Sequence, residues 1–169
     1  APETFRFFAQ EGVSIRVISG DNPVTVSEVA RRAGIAGAER YIDASTLKTE
    51  GDFARAAREC TVFGRVTPDN KKKLIRAMKK EGHTVAMTGD GVNDVLALRE
   101  ADCGIAMASG SQAASQVAQL VLLQSDFAAM RGVVGEGRRV INNIQRAAAL
   151  FLVKNIFSFL LAFISMFAT

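Results

Sequence analysis

The chain has 169 residues, of which 49% are hydrophobic and 22% charged, with a formal net charge of +4. That length supports one domain with a core of its own, and so small a charge excess makes no case for nucleic acid as a partner. Cys60 and Cys103 form no C-x-x-C pair, which excludes a zinc or disulfide framework built on cysteine spacing. Both read as small, buried apolar residues in a reducing compartment.

From the N-terminus, Thr4–Glu11 has a helical pattern and no signal peptide is evident. "VSIRVIS" (13–19) is rich in β-formers. "NPVTVSEVARRAGI" sets Pro23 near a helix start and Gly34 at its C-terminal end. "CTVFGRV" (60–66) is a second strand candidate. "PDNKKKLIRAMKKEG" begins a helix near Pro68 and ends it at Gly82. Its basic residues Lys71, Lys72, Lys73, Arg76, Lys79 and Lys80 read as a solvated face. His83 reads as a turn residue rather than a ligand. "HTVAMTG" (83–89) is the third strand, and a helix starts over 93–100. "CGIAMA" (103–108) is the fourth strand, "SQAASQVA" a short helix and "QLVLLQ" (119–124) the fifth strand. Over residues 1–126 this alternation predicts an α/β fold, a parallel sheet with helices on both faces.

After Asp126 the pattern becomes one long helix, capped at Ser125 or Asp126 and about 65 Å long if unbroken. Residues 127–146 form a stalk in which Gly132, Gly135 and Gly137 each cost about 1 kcal/mol relative to Ala. Residues 147–169 are apolar apart from Lys154, Asn155, two serines and Thr169. That run is long enough to cross a hydrocarbon core of about 30 Å as a transmembrane helix. A buried C-terminal helix is the competing reading, but the run is apolar on every side. Arg131, Arg138, Arg139 and Arg146 all precede it, which predicts residues 1–146 on the cytoplasmic side of a cell membrane.

In an open parallel sheet, ligands bind beyond the C-terminal ends of the strands. Three strand candidates end in groups suited to phosphate chemistry: "SGD" (Ser19, Gly20, Asp21), "GDGVND" (Asp90, Asn93, Asp94) and Lys71 just past 60–66. Hydroxyls and backbone N–H groups hold phosphate oxygens, and a lysine neutralises them. Carboxylates do not bind phosphate but hold the Mg²⁺ that bridges to it. Asp90 and Asp94 stand one helical turn apart, so both can face one ion or its water shell. "GDGVND" has no third glycine for a dinucleotide fingerprint. No G-x-x-x-x-G-K-S/T is present, and Val92 stands where an EF-hand needs oxygen.

Together "ISGDNPVTVSEVARRAGI", "FGRVTPDNKKKLI", "MTGDGVNDVLALREADCGIAMASGSQAA" and "EGRRVINNIQ" resemble the distal phosphorylation-domain sequence of P-type cation-transporting ATPases, over essentially the whole chain. The resemblance implies a Rossmann-like, haloacid-dehalogenase-like core, followed by a stalk helix and the start of a fifth membrane helix. It implies use of ATP and Mg²⁺ in a multi-pass membrane pump that forms and hydrolyses an aspartyl phosphate. Asp90 resembles the principal Mg²⁺ ligand, Asp94 the supporting acid and Asn93 the amide of the same motif. Lys71 resembles the phosphate-binding lysine. Ser19, Gly20 and Asp21 match the family's T-G-D, with Ser in place of Thr. The implied partners are the rest of the same pump (upstream phosphorylation, nucleotide-binding and actuator domains), membrane lipid and a transported cation, with no nucleic acid.

Two departures stand out. Neither the phosphorylated D-K-T-G-T nor the T-G-E of the family's dephosphorylation domain is present. The expectation is therefore a segment of a longer pump whose nucleophile strand lies upstream of Ala1, and a chain inactive alone. In the membrane helix Asn155 matches the family, but Ile156, Phe157 and Ser158 follow without the frequent acid, and Lys154 is unusual. A lysine there is a functional candidate, as a built-in counter-charge, a snorkelling group or a contact with a partner helix. The rival function is a membrane-tethered, non-catalytic phosphatase-like regulatory module. It predicts decay of the catalytic positions, whereas Lys71, Asp90 and Asp94 are intact. A free-standing soluble phosphatase is opposed by the missing nucleophile and the apolar tail.

Overall fold

The computed structural model describes residues 2–167. In chain order the elements are α1 (Pro2–Gln10), β1 (Val17–Ile18), α2 (Pro23–Arg32), β2 (Tyr41–Asp43), α3 (Glu50–Glu59), β3 (Val62–Gly64), α4 (Pro68–Lys80), β4 (Ala86–Gly89), α5 (Val95–Glu100), β5 (Cys103–Met107), α6 (Gln112–Val117), β6 (Leu120–Leu122) and α7 (Met130–Phe167). Three 3₁₀ turns stand at Ala44–Thr46, Val92–Asp94 and Phe127–Ala129. The helix boundaries follow local chemistry. Asn22 accepts from the Val24 N–H at the start of α2, with Pro23 in the first turn, and Thr67 accepts from the Asn70 N–H ahead of Pro68. Gly34 and Gly82 take φ of +80° and +86° and close α2 and α4.

The strands form two three-stranded sheets, β1-β3-β2 and β4-β5-β6, and every pairing is parallel. Parallel strands need crossover helices, so both sheet faces are covered. The alternation along β3 shows this directly. Val62 packs with Val26, Ala30 and Ala38 of the α2 side, while Phe63 packs with Leu74, Met87, Leu98 and Ala106 on the other. Phe63, Leu74 and Leu98 are fully buried. The second cluster draws on both sheets and joins them through one shared core.

Several expectations needed revision. The run 13–19 forms a strand only at Val17–Ile18, because its first half leaves α1 as a turn and coil. Residues 41–59 hold a sixth strand and a further helix that the hydrophobic pattern does not reveal. The basic face of α4 is not merely solvated. Lys73 pairs with Asp69, Arg76 with Glu100, Lys79 with Asp102 and Lys80 with Glu50, all at 2.7–3.0 Å. These pairs are largely exposed, so each contributes little to stability. Cys60 and Cys103 are free and half-buried rather than buried.

The chain divides at Ala129/Met130 into two compact units. The second is α7, 38 residues and about 57 Å at 1.5 Å per residue. Asp126 caps the turn before it by accepting from the Ala128 N–H at 2.8 Å. Phe127–Met166 is long and apolar enough to cross a membrane, and an 18-residue stretch within it has mean hydropathy 2.1 and no buried residue. A soluble core helix would hide the same residues.

Gly64 ends β3 where a Cβ would lie 2.5 Å from the Pro23 backbone nitrogen. Backbone cannot swing aside as a side-chain tip can. Gly64→Ala is therefore expected to destabilise by about 1–3 kcal/mol, read as a lower midpoint in a thermal scan of the full-length protein. Gly51→Ala is the control, because there a Cβ meets only the Thr49 hydroxyl at 3.7 Å; an equal loss from both would refute the steric argument.

Candidate functional site

Four loops leave the C-terminal ends of β1, β3, β4 and β5, and hydrogen bonds tie them in pairs. At β1 the Ser19 N–H donates to Phe63 and the Ser19 carbonyl accepts from Val66 N–H at 3.0 Å. This holds the Ser19–Asp21 turn against the loop that starts α4. Within the turn the Ser19 hydroxyl donates to Asp21 Oδ2 at 3.0 Å and accepts from the Asp21 N–H at 3.2 Å. Gly20 lies against Val66, where a Cβ would be 4.0 Å from its carbonyl.

Lys71 occupies the first turn of α4. Its Nζ lies 2.6 Å from Asp94 Oδ1, with the two side chains 14% and 10% exposed. Asp94 Oδ2 accepts from the Gly91 N–H at 3.2 Å. Burying a carboxylate is costly unless a cation and donors compensate its lost hydration, and both are present. Gly89 is required here, since its Cβ would come within 2.6 Å of the Asp94 Cβ. Thus "GDGVND" folds back on itself: β4 ends at Gly89, the 3₁₀ turn 92–94 follows, and Asp94 points inward to Lys71.

Asp90 and Asp94, expected to face one ion, differ in surroundings. Asp90 is exposed and its carboxylate has no hydrogen-bond partner among the described residues. Its backbone is held instead: the carbonyl accepts from the Ser111 N–H at 2.6 Å, and Gly110 packs so closely that a Cβ would lie 2.8 Å from the Asp90 Cα. Asn93 is exposed within the 3₁₀ turn. The structure therefore joins Lys71 to Asp94, Ser19 to Asp21 and the loop at Val66, and Asp90 to the loop after β5. Among the described residues no three of His, Cys, Asp and Glu converge as a ready-made metal cage. A free carboxylate beside a neutralised one still fits Mg²⁺, which is usually held by one or two carboxylates plus waters and phosphate oxygens.

Two contributors escaped the sequence analysis. Arg65, at φ +51°, donates its N–H to the Asp21 carbonyl at 2.8 Å and its guanidinium to Asp43 Oδ2 at 2.9 Å. Asp43 ends β2, and its carboxyl is held below the usual range by the Ser45 hydroxyl and N–H, then by Arg65. An Asp followed by Ser two residues on is a turn-capping signal that could have located Asp43; nothing in the sequence marks Arg65. The second is the Ser109–Ser111 loop, whose glycine between serines after a strand was readable as a close backbone approach.

The matching family model is that of haloacid dehalogenase-like hydrolases, over residues 1–102. The chain belongs to the haloacid dehalogenase-like hydrolase family. Its relatives are cation-transporting P-type ATPases, in agreement with the resemblance drawn from its motifs. It is 53% identical to the probable cation-transporting ATPase exp7 of Streptococcus pneumoniae, over 97% of this chain and 21% of that protein. It is equally identical to the calcium-transporting ATPase CtpE of Mycolicibacterium smegmatis, over 96% of this chain and 20% of that protein. The chain thus spans about a fifth of the length of these relatives. Among solved structures it is similar to the catalytic domain of the CPx-ATPase CopB-B, with TM-score 0.62 at 25% identity over 79% of this chain and 44% of that one. Its fold also matches a zinc-transporting PIB-type ATPase, with TM-score 0.67 at 22% identity over 86% and 20% of the two chains.

Removing Lys71 would strand the Asp94 charge. Lys71→Met is expected to cost about 3–5 kcal/mol, toward the lower end because the pair is not fully buried. Adding Asp94→Asn should recover about 1–3 kcal/mol of that. A double-mutant cycle on unfolding midpoints checks this, and strict additivity would show that the pair is not coupled.

Proposed function

We propose that this chain supplies the metal-holding and phosphate-holding half of the phosphorylation site in an ATP-driven cation pump. The observation that carries the reading is the division of labour between two acids on one loop. Lys71 and the Gly91 N–H satisfy Asp94, while Asp90 presents a free carboxylate at the end of β4. One acid orients the loop and the other is left for a ligand.

In this reading Asp90 holds Mg²⁺, which neutralises charge on the phosphoryl oxygens. Lys71 keeps one ammonium hydrogen on Asp94 and has two more for a phosphoryl oxygen. Ser19 offers its hydroxyl, aimed by Asp21, and Gly20 keeps the turn free of a side chain. Asn93 lies beside Asp94 to complete the polar rim. These roles are positional and electrostatic, the kind that dominates phosphoryl transfer. The aspartate that becomes phosphorylated comes from a strand outside this sequence, so the isolated chain is inactive. β1 and β4 each have one parallel neighbour, and a strand between them would complete a single sheet. Residues 127–146 then serve as a cytoplasmic stalk and 147–169 as a membrane helix of a multi-pass protein. The long helix transmits rearrangement at the phosphate site to the cation path as a rigid element.

Two experiments test the reading. In the full-length pump, Asp90→Asn is expected to lower phosphoenzyme formation at limiting Mg²⁺ by about tenfold or more, and Asp94→Asn by less. Unchanged phosphoenzyme in Asp90→Asn would assign the metal elsewhere. Residues 1–126 expressed alone are expected to be insoluble or to melt without cooperativity. Each unmet buried polar group costs about 1–3 kcal/mol, against about 5–15 kcal/mol for a whole domain. Extending that segment to include the nucleophile strand should restore a sharp transition. A reversible, cooperative melt of 1–126 alone would favour the self-contained regulatory module.

A further inference from the structure

Ser125 has φ +51°, a conformation that serine adopts at a cost and glycine or asparagine more readily. Such an outlier is a reason to ask what the side chain does. Its hydroxyl accepts from the Ser109 N–H at 2.9 Å. That bond is exposed, so water could replace it and it is not needed to satisfy a buried donor. What it does is fix the loop after β5 from the other side. Ala108 N–H and Ser125 N–H both donate to the Leu122 carbonyl, at 3.1 and 3.0 Å. Two residues beyond Ser109, the Ser111 N–H donates to the Asp90 carbonyl, and Gly110 abuts the Asp90 backbone. Immediately after Ser125, Asp126 caps the turn that leads into α7.

We infer that Ser125 is a positioning residue. Through the Ser109–Ser111 loop it holds the Asp90 backbone, and so the carboxylate proposed above for Mg²⁺, at the point where the chain turns into the long helix. The inference rests on the assignment of Asp90, but the contacts themselves do not. The relay runs Asp90 carbonyl, Ser111, Gly110, Ser109, Ser125, Asp126, without crossing the core. Among the described residues, the Ser125 hydroxyl is the one side-chain link between Ser109 and the segment that leads into α7; the links from Ser109 to Asp90 are backbone.

Ser125→Gly removes the hydroxyl and keeps the backbone conformation free of strain, whereas Ser125→Asn keeps an acceptor and tolerates the same φ. In the full-length pump without Mg²⁺, hydrogen–deuterium exchange of Ser125→Gly should accelerate about fivefold at 108–111 and 89–91, the loss of one hydrogen bond. Peptides over 62–64 should be unchanged. The Mg²⁺ concentration for half-maximal phosphoenzyme formation should rise about threefold or more, and Ser125→Asn should restore both. Wild-type exchange and Mg²⁺ dependence in Ser125→Gly would overturn the inference. So would acceleration everywhere, 62–64 included, with an unchanged Mg²⁺ requirement, which marks a general structural role. Asp90→Asn separates the two ideas. If it raises the Mg²⁺ requirement and Ser125→Gly does not, the relay fails and the metal assignment stands. If Asp90→Asn leaves the requirement unchanged, the metal assignment fails and the exchange experiment alone decides the relay.

Discussion

The arrangement of the site depends on one buried ion pair, Lys71 with Asp94. An ion pair removed from water gains little net stability, because desolvation offsets the attraction. Its value is registry. Lys71 is in the first turn of α4 and Asp94 in the turn after β4, so the pair fixes a helix from the first sheet to a loop from the second. The loop before α4 is in turn bonded to Ser19 through Val66. Three segments far apart in sequence are thereby set at fixed separations, which positioned phosphoryl transfer requires.

The pair acts across a discontinuity. The two sheets share a hydrophobic cluster but no strand pairing, and the strands are short, from two residues in β1 to five in β5. Parallel sheets are ordinarily buried on both faces and paired along their length. Here helix packing is complete while the ladder is interrupted, and Ala86 at the start of β4 is exposed. Packing of α4 on α3 and α5, with Leu74 and Leu98 fully buried, holds the halves together in place of strand-to-strand hydrogen bonds. The proposed additional strand would add the missing ladder without disturbing that packing.

What was legible in the sequence follows from which interactions are local. Pro23, Pro68, Gly34 and Gly82 act within a few residues, and all marked real helix ends. Strands within 60–66, 83–89, 103–108 and 119–124 were found because parallel strands between covering helices read as continuous apolar runs. β2 was missed because "YID" is three residues long, has Tyr41 exposed and is stabilised by pairing with β3, a nonlocal partner. The distant ion-pair partners of the exposed basic face of α4 were out of reach for the same reason. These partners, Glu50, Glu100 and Asp102, are between 21 and 30 positions away. At the site, the residue types were readable, but not that Asp94 would be spent on Lys71 and Asp90 left free. That distinction is made by Gly89 and Gly110 through the space they leave, and by the Gly91 N–H that Asp94 accepts.

The last element is one uninterrupted helix of two compositions. Its first half carries Arg131, Arg138, Arg139 and Arg146, and its second exposes Leu150, Phe151, Phe157 and Phe159, each more than half accessible. In water so much exposed apolar surface would drive association; in lipid it is the stable state. Lys154 stands about 10 Å along the helix axis past Ala147. Helical side chains tilt toward the N-terminus, so in a bilayer a lysine here would reach back toward the arginine-bearing end. Ser158 and Ser165 fall within about 40° of the same stripe at 100° per residue, and Asn155 stands beside it. One side of an otherwise apolar helix is therefore polar at three levels. Polar groups gathered on one side of an apolar helix are the composition with which membrane helices pack against neighbours.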